Sequence, residues 1–137
     1  MSRFLPLLLL AFLCPALALA GEKANTVLLH EGDVVYVEFA RKGVKLTLVN
    51  ASKEKNDRAQ VIASFIKADM KERFPLPQLK VENKFDLDLD YEAQARAVKV
   101  DARAPLQVYP VVGGKMAQTI IPPRADEIAL YGWVLEK

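Results

Sequence analysis

Behind a leading apolar stretch, hydrophobic positions alternate over short runs, lengthen once to a helical period, and then return to alternation. Thr26 to His30, Val34 to Ala40 and Val44 to Val49 are apolar runs separated by Glu31-Gly32-Asp33 and Arg41-Lys42-Gly43. Both breaks are turn-like, with a glycine available for a positive φ. In the third run Val44, Leu46 and Leu48 alternate with Lys45, Thr47 and Val49, the period of a strand with one face on a core. These runs predict a meander of two hairpins.

The period then changes. From Asp57 to Phe74, Ala59, Ile62, Ala63, Ile66 and Met70 form one apolar stripe broadened by Phe65, with Gln60, Ser64, Lys67 and Lys71 opposite. That spacing predicts an amphipathic helix. Asp57 is placed to cap its first turn, Gln60 to complete a capping box, and Asp69 to pair with Arg73 one turn on. Pro75 and Pro77 would end it.

Strand signals resume with Leu79 and Val81, then with Phe85, Leu87, Leu89 and Tyr91 interleaved with Asp86, Asp88, Asp90 and Glu92. The same phase continues through Ala93, Ala95 and Ala97 before Val98, Val100 and Ala102 take the apolar role. A one-residue phase change needs a bulge or a turn, expected between Ala93 and Ala97. Leu106 to Val112, a hairpin signal at Gly113-Gly114, Lys115 to Ile121, and Ile128 to Leu135 complete the pattern, with Pro122-Pro123 closing the penultimate run.

The pattern gives an α+β class: a curled, mostly antiparallel sheet of seven or eight strands, with one amphipathic helix inserted after the third strand. The helix is expected to pack Ile62, Phe65, Ile66 and Met70 on one sheet face, against Leu46, Leu48, Leu87 and Leu89.

Residues 1–20 have the layout of a secretory signal peptide: Arg3, an apolar stretch from Phe4 to Leu13, and Ala18-Leu19-Ala20 as an A-x-A cleavage site. Cleavage near Ala20 leaves 137 − 20 = 117 residues, 21–137, as one α+β domain. The sole cysteine, Cys14, falls in the leader, so the exported part has no thiol and no disulfide. An exported domain without disulfides suits a bacterial periplasm or envelope, or a secreted protein. Net charge is 19 − 17 = +2, or +1 without Arg3, too small for phosphate neutralisation to make nucleic acid a partner.

Reactive groups are few. His30 is the only histidine, and Ser52 and Ser64 are the only serines after the leader; neither sits in a G-x-S-x-G elbow. No phosphate loop, H-E-x-x-H, C-x-x-C or dinucleotide fingerprint occurs, so no cofactor or metal is expected. Asp86, Asp88 and Asp90 would form an acidic row on one strand face, with Arg96, Lys99 and Arg103 able to fold back beside it. Arg41, Lys42 and Lys45 cluster at a hairpin tip, placed to meet an acidic partner or, peripherally, a membrane surface.

The function expected is that of an exported envelope protein without catalysis, working through protein–protein contact as an adaptor, assembly factor or inhibitor. Its surface would comprise Arg41, Lys42, Lys45, Asp86, Asp88 and Asp90, or an edge strand taking a partner by strand addition, with Lys115 to Ile121 and Val34 to Ala40 as candidate edges. One alternative is a carrier of a small apolar ligand in a pocket between sheet and helix. Another is a hydrolase using the carboxylates near Asp86, Asp88 and Asp90.

Overall fold

A strand with alternating side chains buries one face only, so a chain of such runs must turn its apolar faces toward a shared interior. The computed structural model describes residues 24–69, 71 and 75–137. In it nine strands form one curled sheet: β1 Val27–His30, β2 Val34–Lys42, β3 Lys45–Ser52, β4 Val61–Ile66, β5 Gln78–Asn83, β6 Asp88–Ala97, β7 Ala102–Leu106, β8 Met116–Ile120 and β9 Glu127–Glu136. The order is β7-β6-β9-β3-β2-β4-β5-β8, with β1 beside β9, and every pairing between these strands is antiparallel. β9 carries β6 along one edge; along the other it pairs first with β1, from Glu127 to Leu130, and then with β3 at Val134.

The concave face holds the core. Val35, Val37 and Phe39 of β2, Val61, Ala63 and Phe65 of β4, and Leu79 and Val81 of β5 supply one part. Leu89, Tyr91, Ala93 and Ala95 of β6 and Leu29 of β1 supply another. In β9 the buried phase switches from Ile128 and Leu130 to Trp133 and Leu135. A bulge makes the switch: Asp90 pairs with Val134 but Glu92 with Tyr131, and the extra residue Gly132 has φ +67°. Trp133 then stacks on Tyr91 at 5.4 Å and donates its indole N–H to Asn25 O.

The α+β expectation is overturned. The only helical element among the described residues is a three-residue 3-10 turn, Val98–Val100, and the segment read as an amphipathic helix contains strand β4. The stripe splits: Ala59 and Ala63 are buried, while Ile66 of the same stripe is exposed. A second pattern, Val61, Ala63 and Phe65 at two-residue spacing, fills the core instead. Val61, Ile62, Phe65 and Ile66 are β-branched or aromatic, which favours the extended chain. Asp57 caps nothing, since the segment opens with a turn in which Asn56 Oδ1 accepts from the Arg58 N–H. Gln60, expected in a capping box, spans the gap beside β2: its Oε1 accepts from Phe39 N–H and its Nε2 donates to Phe39 O. The side chain thereby continues a ladder that begins with Gln60 N–H donating to Val37 O.

The expected phase break also falls elsewhere. β6 runs unbroken to Ala97, the 3-10 turn with Asp101 at φ 50° reverses the chain, and β7 returns beside it. Gly113-Gly114 turns the chain without joining two ladder strands, because Val111 bridges to Leu89 of β6 rather than to β8. The leader expected over residues 1–20, Met70 of the apolar stripe and Arg73 of the expected ion pair lie outside the described residues.

Candidate interaction surfaces

The charged residues singled out by pattern come together only in part. β2 and β3 are joined by a tight turn with Gly43 at φ +64°, which sets Lys42 opposite Lys45. Arg41 bends away from this pair, its Nε donating to Gly43 O and its Nη1 to Asp86 Oδ1, at 2.9 Å each. The guanidinium also lies 6.0 Å from the Phe85 ring centroid. The hydrogen bond and charge of Arg41 hold the Asp86 carboxyl below its ordinary pKa. Thus the basic tip and the acidic run meet at one point, through residues 45 positions apart in sequence.

The acidic row itself is not continuous. Asp86 lies in the bend before β6, whereas Asp88 and Asp90 are on the strand. Asp88 Oδ1 accepts from the Gly113 N–H and sits opposite Glu136 of β9. Asp90 accepts from the Tyr91 N–H and pairs across the ladder with Val134, whose other neighbour is Lys45. A hydrogen bond with Asp90, assisted by the nearby Asp88 charge, raises the Glu136 pKa. Arg96 and Arg103 do not fold back beside these carboxylates; they face each other across β6 and β7, and Arg96 pairs with Glu127 at 3.2 Å. Among the described residues no three histidine, cysteine or acidic side chains group as metal ligands.

His30 stands at the end of β1 in a network that its sequence position did not reveal. Its Nε2 is 3.0 Å from Glu127 Oε2, and its backbone N–H donates to Asp33 Oδ2. Lys53 Nζ closes on Asp33 Oδ1 at 3.1 Å. Burial opposes ionisation of Asp33, but the His30 N–H and the Lys53 ammonium outweigh it and lower its pKa.

The two end strands of the main path differ. β7 ends one side and carries Arg103 and Pro105, both of which discourage a further strand. β8 ends the other, and its sequence Met116-Ala-Gln-Thr-Ile120 has neither charge nor proline. At its two ends Asn83 N–H donates to Lys115 O, and Ile121 N–H donates to Pro77 O. Hydrogen bonding alternates along an antiparallel ladder, so odd-numbered residues of this segment face β5. The N–H and C=O groups of Met116, Gln118 and Ile120 therefore point outward, and these three side chains are exposed as well. The second candidate edge, Val34 to Ala40, is no edge: it falls in β2, which is paired with β3 and β4.

Shallow hollows border β6 and β7. One of about 150 Å³ is lined by Ala95, Ala97, Ala102 and Ala104 among others, and one of about 220 Å³ by Tyr91, Pro105 and Tyr131 among others. Both fall below the size of a typical small-molecule cleft. Comparison of the chain with protein-family models, curated proteins and solved structures finds no match.

Proposed function

We propose that this protein acts by protein–protein interaction, as an exported adaptor, assembly factor or inhibitor that takes an extended segment onto the outer margin of β8. One observation carries the reading: Met116, Gln118 and Ile120 present outward backbone donors and acceptors on a strand with no charge, proline or bulge to block pairing. Main-chain hydrogen bonds would supply affinity, and exposed Met116 and Ile120 would supply apolar contact on alternate positions. The Arg41–Asp86 pair is less suited to lead, because each charge already has its partner.

Gln118→Pro tests this directly. It removes one outward N–H while sparing every bond from β8 to β5, so the fold is retained. Crosslinked capture from the native host is expected to lose its specific protein when this variant replaces the parent. Unchanged capture by a variant with parental circular dichroism and urea midpoint overturns the proposal.

A further inference from the structure

We infer that the segment taken by β8 is β8 of a second copy, paired antiparallel about a two-fold axis through Gln118. The inference rests on the edge reading above and adds the partner's identity. The outward ladder positions are Met116, Gln118 and Ile120. The next outward position on one side is Gly114, in a turn at φ +75°; on the other it is Pro122, which has no N–H. These two stops are equidistant from Gln118, so the open ladder is symmetric about that residue.

Placed against itself in antiparallel register, the strand sets Met116 opposite Ile120 of the second copy, Gln118 opposite Gln118, and Ile120 opposite Met116. Each is a hydrogen-bonded pair exchanging two bonds, about six in all. A shift by two residues about the axis loses at least one pair, since Ile120 then meets the Gly114 turn. The side-chain matches are apolar with apolar and amide with amide, and no charge from either copy lies directly across the seam. Behind β8, Glu82 and Lys80 of β5 stand beside Met116 and Gln118, and Gln78 beside Ile120. Glu82 of one copy therefore lines up with Gln78 of the other, while the two Lys80 residues line up with each other across both Gln118 residues, three strand spacings apart. Two copies would thus share one sheet through an isologous contact.

A five-residue strand edge is smaller than a standard stable interface, so the dimer is expected to be weak, with a dissociation constant of about 10–1000 µM. Sedimentation equilibrium of the protein, purified as its host produces it, over about 1 µM to 1 mM should show reversible monomer–dimer exchange in that range. The two-fold axis makes a sharper demand, because a charge at position 118 must meet its own copy. Gln118→Lys alone and Gln118→Glu alone are each expected to shift the dimer at least tenfold toward monomer, and an equimolar mixture of the two is expected to dimerise again.

A parent monomeric to about 1 mM overturns the inference, as does a dimer indifferent to both substitutions, or a mixture that fails to regain the dimer. If the parent is monomeric while Gln118→Pro still abolishes capture of a different protein, the edge reading stands and only the second copy is excluded. If capture and self-association both ignore position 118, the two readings fall together. Parental urea midpoints in both charge variants exclude loss of fold as the cause.

Discussion

Asn83 occupies a core-facing position at the end of β5, in phase with Leu79 and Val81, yet it is polar and 2% exposed. Its Nδ2 donates to Leu87 O and Val111 O, and its Oδ1 accepts from the Phe85 N–H, all at 2.9 Å. One side chain thereby satisfies three backbone groups, tying the Phe85–Leu87 bend to the crossing segment that carries Val111. Gly113 makes the same region close-packed, since a Cβ there would stand 2.8 Å from the Asp86 carbonyl. Asn83→Ala leaves the Leu87 O and the Phe85 N–H without this partner, while Val111 O keeps the Leu89 N–H, and each unsatisfied buried polar group costs about 1–3 kcal/mol. The expected loss is about 2 kcal/mol or more, measured by urea denaturation. A loss below about 1 kcal/mol would show that the bend does not depend on Asn83.

Along β6 and β9 the outward carboxylates Asp88, Asp90 and Glu136 crowd one another, and the hydrogen bond with Asp90 raises the pKa of Glu136. Glu136 ionises near 4.5 in the unfolded chain, so above that value, and up to its raised value, the folded protein holds more protons. What the protonated pair contributes to stability is complete below about pH 4.5 and is lost as the pH rises through the raised value. Glu136→Gln is therefore expected to unfold at higher urea than the parent at about pH 7, with the advantage shrinking toward about pH 4. An advantage that is equal at both values, or absent at neutrality, contradicts this. The alternation that puts Asp88 and Asp90 on one strand face was legible in the sequence, but the bend that takes Asp86 off that face was not. Nor was the proximity to Glu136, which depends on β9 pairing from far along the chain. The same limit hid the contact between Arg41 and Asp86. In β4 the difficulty was different: Ala59, Ile62, Ala63 and Ile66 fit a helical period while Val61, Ala63 and Phe65 fit a strand, and only burial decides between them. β8 was legible because its stops, Gly113-Gly114 and Pro122-Pro123, are local. Asn83 left a fainter trace, a polar residue in the phase of Leu79 and Val81.

The sheet as a whole is held unevenly. β6 and β9 pair along their length, whereas β3 meets β9 at one registered pair, Lys45 with Val134, and at the bond from Leu135 N–H to Val44 O. Leu135 N–H points to β3, so by ladder alternation the Val134 and Glu136 amides point to β6. In native-state hydrogen exchange Leu135 is expected to exchange faster than Val134, opening at the thin seam without global unfolding. Equal protection of the two amides would show that the seam opens only with the whole sheet.

β9 joins three neighbours, β1, β3 and β6, and follows all eight other strands in chain order. During synthesis it leaves the ribosome after them, so β1 must wait for a partner about a hundred residues downstream, as with Val27 and Leu130. Pairings of such separation close long loops and slow folding. The first strands made can form the β2–β3 hairpin, but β1 has no ladder and Trp133 is not yet present to cover Phe39. The chain is thereby kept from closing its sheet until all of β9 has emerged, a delay written into the strand order itself.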